Sequence, residues 1–234
     1  MESSDVRQIA RDVLRGKWTI AVIVTFVAAL LGGLISGSGF ELNFEIEDET
    51  LQYMPEFVIS YLRVVAPVAT ILGIVHFLIG GAVRLGHCQF MLNLYDNKPV
   101  DIRDLFSHFD RFLDALVMNL LSSLFVALWT LLFIIPGIVA GYRYAMAPFI
   151  LAENPGMGGL EAITASKELM RGYKFDLFVL DLSFIGWALL NVLTLGIGSL
   201  WLNPYESMAH TVFYRNLCPA QIVDSQADET EFHL

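Results

Sequence analysis

Charge is what this sequence has least of. Only 16% of its 234 residues are Asp, Glu, Lys or Arg, while 56% are hydrophobic. A soluble domain carries about a quarter charged residues and needs them to cover its surface. That scarcity, with a mean hydropathy of +0.59, excludes an ordinary soluble globular domain. Cysteine is nearly absent. Cys88 and Cys218 are too few for a disulfide framework, and neither stands at metal-ligand spacing from a histidine. Both are expected as free thiols near the cytoplasmic side. Lys and Arg number 14 against 24 Asp and Glu, and they do not cluster, which excludes a nucleic-acid footprint. There is no Gly-rich phosphate loop and no His-Glu-x-x-His pair. His108 with Asp110 and Asp114 imitates a metal site but reads as a solvated polar face. No catalytic residue is therefore assigned, and no enzyme activity, metal or cofactor is expected.

What the sequence does have is long apolar runs. Trp18–Ser36, Val64–Val83, Ala115–Tyr142 and Leu182–Tyr205 contain no Asp, Glu, Lys or Arg. Each meets the roughly 20 residues that cross a hydrocarbon core of about 30 Å. In lipid the backbone must satisfy its own hydrogen bonds, so these runs should be helices. The first run exceeds the core of a signal peptide, so it reads as a retained helix. The net charge of -10 is concentrated in an acidic loop, 37–62, and an acidic tail, 218–234, both read as solvated.

Lys and Arg collect on the cytoplasmic side of membranes. Arg7, Arg11, Arg15 and Lys17 place the N-terminus inside, the acidic loop outside, and Lys98, Arg103 and Arg111 inside again. Ala115–Tyr142 is too long for one upright span, and Pro136-Gly137 offers a break. A hairpin there, with arms at 115–135 and 138–151, returns Lys167, Arg171 and Lys174 to the inside. The last run breaks likewise at Gly196-Ile197-Gly198, with arms at 177–195 and 199–214. The expectation is an all-α polytopic membrane protein. It forms a single domain, 1–217, with six membrane segments in three hairpins and both termini cytoplasmic. The short return arms could be partly re-entrant; a four-span layout is the alternative.

Ala10-Arg11-Asp12-Val13-Leu14-Arg15-Gly16 matches Ser166-Lys167-Glu168-Leu169-Met170-Arg171-Gly172 in charge sign and apolar position. Each precedes an outward helix. A third stretch, with Ile102, Leu105, Phe106, Phe109, Phe112 and Leu113 on one helical face, precedes the middle hairpin. The repeating unit is expected to be an amphipathic helix on the cytoplasmic face followed by a membrane hairpin.

A set of motifs runs along nearly the whole chain. Among them are Leu14-Arg15-Gly16-Lys17-Trp18, Leu105-Phe106, Leu128-Trp129-Thr130-Leu131-Leu132-Phe133-Ile134-Ile135-Pro136-Gly137-Ile138, Tyr144-Ala145-Met146, Ile150-Leu151-Ala152-Glu153-Asn154-Pro155-Gly156 and Met170-Arg171-Gly172. Leu182-Ser183-Phe184-Ile185-Gly186-Trp187, Leu195-Gly196-Ile197-Gly198 and Pro204-Tyr205 complete it. In order and spacing the chain resembles the bacterial integral membrane family of domain of unknown function 975. More distantly it resembles the membrane domain attached to some glycerophosphodiester phosphodiesterases. The resemblance implies a polytopic membrane protein in the cytoplasmic membrane of a bacterium. It supplies no catalytic residues.

Ionisable residues inside a bilayer are costly, so they mark candidate sites. Arg143, Asp181, Glu206 and His210 form the candidate intramembrane polar site, with Arg143 paired to Asp181 or Glu206. Glu206 and His210 share a face at four-residue spacing. The favoured reading of the same groups is that they glue the hairpins together or snorkel to an interface. The function expected from these features is non-enzymatic: assembly, or interaction with membrane lipids or an unidentified membrane protein partner. The alternative is a small-solute or lipid transporter using a polar site between broken helices. His76, Asn119, Asn191 and Asn203 add further polar positions.

Overall fold

Val6, Ala10 and Leu14 are buried at four-residue spacing while Glu2, Asp5, Arg11 and Asp12 face out. That stripe makes the first helix, α1 (Ser3–Leu14), amphipathic. The computed structural model of the chain describes residues 2–32 and 56–218, with backbone alone at 57–72 and 74. The acidic tail beyond 218 and most of the acidic loop lie outside the described residues; residues 56–62 are helical.

After α1 the chain turns at Gly16, whose φ of 79° is open to glycine at little cost. α2 (Trp18–Leu30) leaves at 104° to α1. α3 (Glu56–Tyr95) is 40 residues long, about 60 Å at 1.5 Å per residue. Two short 3-10 turns follow, Ile102–Phe106 and Phe109–Arg111. α4 (Phe112–Leu132) ends at Phe133, whose backbone is extended. α5 (Ile134–Tyr144) carries Pro136 in its first turn, where a missing N–H costs nothing. α6 (Ala147–Glu153), α7 (Gly159–Leu169), α8 (Lys174–Leu182) and α9 (Ile185–Leu193) succeed it. The chain breaks again at Leu195 and Gly196, with φ of 52° and 87°, before α10 (Ser199–Leu217). No strand occurs among the described residues.

The two stretches matched in sequence have matching local structure. Ala10 and Leu14 are buried where Ser166 and Met170 are buried. Arg15 N–H donates to Asp12 O at 3.2 Å and Lys17 N–H to Leu14 O at 2.9 Å. Arg171 N–H donates to Glu168 O at 3.0 Å and Tyr173 N–H to Met170 O at 3.3 Å. Gly172 has a φ of 91°, beside 79° at Gly16. In the helices that follow, Ala21 and Val24 are buried where Leu177 and Leu180 are. The third stretch differs. Residues 102–111 fold as 3-10 turns rather than one amphipathic α-helix. Asp101 accepts the Arg103 N–H at 2.9 Å while its own N–H donates to Asp104 at 3.2 Å. This reciprocal cap fixes a tight start. Only Leu105 of its apolar residues is fully buried; Phe106 and Leu113 are exposed.

Close helix crossings depend on glycine. A side chain at Gly86 of α3 would strike the Leu105 carbonyl, and one at Gly137 of α5 would strike Thr130 of α4. One at Gly159 of α7 would strike the Asp114 carbonyl of α4. α4 and α5 run antiparallel, since Gly137 meets Thr130 while Tyr144 meets the Phe125 ring at 6.0 Å. α10 runs antiparallel to α8 and α9: Gly198 lies by Asn191, and Phe184 meets Tyr205 at 5.0 Å. α1 packs on α10, so the first helix meets the last; the Tyr205 hydroxyl donates to Arg7 O at 3.1 Å. α3, α6 and α10 also meet one another, α6 and α10 through stacked Phe149 and Tyr214 at 5.3 Å. Phe90, Met91, Leu94, Leu151, Met208 and Val212 on these helices belong to one buried cluster.

Large apolar side chains are exposed along α4, α5 and α9. Leu131 is 86% exposed and Ile135 75% at the α4–α5 break, and Leu195 is 93% exposed after α9. Among the described residues three helical stretches are long and apolar enough to cross a membrane: Ile102–Leu132, Ile134–Glu153 and Lys174–Leu193. The bent pair α1–α2 makes up to four if it is counted as one span.

Candidate functional site

Asp181 projects from the end of α8 and His210 from the middle of α10. His210 Nε2 and Asp181 Oδ1 are 2.6 Å apart, each side chain a little over a quarter exposed. Glu206 stands one turn before His210 on the same helix and is in electrostatic reach of both. The Tyr142 hydroxyl, from α5, is in electrostatic reach of Asp181, and its ring meets Phe178 edge-on at 5.9 Å. Three of the four residues expected from sequence therefore converge. Asp181 and Glu206 open onto a surface groove of about 260 Å³, whose walls include Phe178, Leu182, Ile185 and Leu202.

Arg143 is not part of this group. Among the described residues its guanidinium forms no ion pair with Asp181 or Glu206. It lines a separate groove of about 250 Å³ with Trp129, Ile135, Pro136, Val139 and Ala140. The reason is geometric: Tyr142 and Arg143 are neighbours on a helix, so about 100° of rotation separates them, and Tyr142 takes the face toward α8.

The cation in reach of the cluster is instead Arg84 of α3, which acts electrostatically on His210 and on buried His87. His87 Nε2 lies 3.2 Å from Thr25 Oγ1 of α2. These residues were hidden in the sequence because Arg84 sits at the end of an apolar run, where an inner-boundary arginine is ordinary. The combination of a carboxylate, an imidazole and a phenol can share a proton or orient a polar group. Among the described residues no three His, Cys, Asp or Glu converge as metal ligands.

A second polar group lies where three helices end. Arg215 near the end of α10 reaches Glu153, the last residue of α6, and Asp96, just after α3, each at 2.6 Å. The Tyr214 hydroxyl donates to the second Glu153 oxygen at 2.8 Å, and Lys98 lies 3.3 Å from Asp96. Nearby, Arg111 donates to the carbonyls of Leu151, Asn154 and Met157 at 2.8, 3.1 and 2.5 Å. It thus satisfies carbonyls that the end of α6 and the following turn leave over. His108 Nε2 adds a contact to Ala152 O at 3.3 Å. Cys88 and Cys218 are free thiols. Burial raises the pKa of the Cys218 thiol, against the opposing hydrogen bond with Tyr214.

The fold and these clusters define a class: among the described residues the chain is all-helical, with three to four helices apolar enough to cross a membrane. The chain matches the family described as protein of unknown function (DUF975) over residues 1–140 and 131–221, and it belongs to that family. No curated protein and no solved structure matches it.

Proposed function

We propose that this chain is a multi-pass protein of a bacterial cytoplasmic membrane whose work is to hold lipids or a partner membrane protein. The observation that carries this reading is the distribution of apolar side chains. Large ones face outward along α4, α5 and α9, while α3, α6 and α10 meet around a filled interior. A protein in water would hide the first set, and a wide conduit would leave the second apart. The breaks at Phe133 and at Leu195-Gly196 support six segments in three hairpins. The common geometry of the turns at Gly16 and Gly172 supports an internal repeat. With α1 packed on α10, each segment leading into a hairpin rests on the returning arm of another unit. In this layout Arg215, Glu153 and Asp96 mark the cytoplasmic end, and both termini lie in the cytoplasm.

A second reading has one observation in its favour. Asp181, His210, Glu206 and Tyr142 meet beside a groove, as a polar site for a transported solute or lipid would. Purification from native membranes in mild detergent, followed by mass spectrometry, separates the two. A stoichiometric protein partner or retained lipid is expected; a retained small solute, lost on Asp181→Asn, would favour transport instead. Topology has its own test. A cysteine at Met157, in a variant lacking Cys88 and Cys218, should resist an impermeant thiol reagent added to intact cells. Labelling from outside would overturn the six-segment layout.

A further inference from the structure

Lys17 and Lys98 sit together where α10 ends, and neither has a carboxylate of its own. Asn97 stops α3 with a φ of 55°, a conformation that asparagine tolerates better than most residues. That turn brings the Lys98 N–H back to Asn93 O at 2.9 Å. Lys98 Nζ lies 3.3 Å from Asp96 Oδ2, and the same oxygen takes Arg215 Nη2 at 2.6 Å. One carboxylate thus serves two cations, and the Lys98 side chain is 60% exposed. Lys17 Nζ donates to the neutral Asn97 side chain at 2.9 Å. Among the described residues Lys17 forms no ion pair. Arg15, across the Gly16 turn from Lys17, is exposed. The face beside the end of the last helix is therefore short of negative charge.

The chain's own anionic segment starts at that end. Residues 219–234 carry Asp224, Asp228, Glu229 and Glu231 and no Lys or Arg. Asp224 can lie up to about 20 Å from Cys218 along an extended chain, and Glu231 up to about 45 Å. Neither needs that reach, because Arg215, one turn before Cys218, already touches Asp96. A tethered segment meets its target at an effective concentration on the order of millimolar, at which weak charge pairs count. We infer that the acidic tail docks back on this face, with its carboxylates on Lys17 and Lys98. Tail and face share one end of α10, so the contact holds whichever way the chain sits in a membrane. Docked there, the tail competes with any other anion for the same cations.

The lysines supply the test and its control. The chain has Lys17, Lys98, Lys167 and Lys174, and no Lys or Arg follows Arg215, so one tryptic peptide carries all the tail acids. Full-length protein in nonionic detergent is treated with a water-soluble carbodiimide, which joins a carboxylate to an amine in contact with it. Mass spectrometry should find the tail peptide linked to Lys98 and Lys17 well above Lys167 and Lys174. The links should fade at 1 M salt, where the screening length falls to about 3 Å. The rate at which an acylating reagent modifies each amine is the second readout. Asp224→Asn, Asp228→Asn, Glu229→Gln and Glu231→Gln together should speed modification of Lys17 and Lys98 about threefold, the scale of an exposed ion pair. Lys167 and Lys174 should keep their rates. Even linkage to all four lysines, or links found only between two copies of the chain, would overturn the docking. So would protection of Lys17 and Lys98 that persists in the neutralised variant; if stripping phospholipid then removes it, the face belongs to a lipid headgroup instead.

Discussion

Arg215 Nη1 stands 2.6 Å from Glu153 Oε1, so the last helix is fastened to the end of the middle one. The other arm of the guanidinium holds Asp96 at the end of α3. Arginine is the residue for this position, because a planar fork can serve two carboxylates at once and sits favourably at a helix C-terminus. The side chain of Arg215 is only 8% exposed. Removing it leaves Glu153 without its cation and Asp96 with only the exposed Lys98.

Arg215→Ala should therefore destabilise the protein by about 3 kcal/mol, the scale for breaking a buried pair. Arg215→Lys should recover part of that, since a point charge cannot serve both partners as well. Thermal unfolding in mild detergent measures both. A midpoint unchanged by Arg215→Ala would mean that these contacts do not hold the three helices together.

The crossings at Gly86 and Gly137 make a sharper geometric case. A methyl at Gly137 would lie 2.7 Å from Thr130 Cα, and one at Gly86 would collide with the Leu105 carbonyl. Both obstacles are backbone or close to it, so they cannot swing aside. Gly86→Ala and Gly137→Ala should each cost about 1–3 kcal/mol. Gly141 has open space around its missing Cβ, and Gly141→Ala should be neutral or slightly stabilising through helix propensity. If all three behave alike in thermal unfolding, the close crossings are misassigned.

These examples show what could be read from sequence and what could not. The break near Pro136-Gly137 was legible because proline and glycine act locally, and it falls within a few residues of the extended Phe133. An amphipathic first helix was legible because Val6, Ile9 and Val13 recur at helical period, but the buried stripe is Val6, Ala10 and Leu14, with Ile9 and Val13 half-buried beside it. The third amphipathic segment was not. Its apolar spacing suits an α-helix, but the Asp101 and Asp104 cap favours a 3-10 start, and periodicity carries no information about capping. Asp181, Glu206 and His210 were legible as rare charges in apolar helices. Their separation from Arg143 was not, since that depends on which face of α5 meets α8. The Arg215 contacts pair residues far apart in sequence, and nothing local marks them.

Asp181 and His210 allow a pairwise test. Their 2.6 Å contact predicts that Asp181→Ala and His210→Ala are not additive. Each alone leaves the other polar group without its partner, so the double variant should be less destabilised than the sum by about 1–3 kcal/mol. Simple additivity in thermal unfolding would mean that the two groups are held by other partners and that the cluster is not a unit.

Gly16 and Gly172 carry the last test, because they probe whether two distant turns are the same device. Their φ values of 79° and 91° lie where a side chain is strained, and neither has any atom near its missing Cβ. Crowding is thus removed from the comparison, and only backbone strain remains. Gly16→Ala and Gly172→Ala should each cost about 1 kcal/mol, and by similar amounts. Gly16→Asn and Gly172→Asn should cost less, since asparagine tolerates this region better than alanine. Matching penalties in thermal unfolding, with the same ranking of Ala and Asn at both sites, are what two copies of one helix–turn–helix unit would give. A penalty at one turn and none at the other would reduce the likeness of the two stretches to chance.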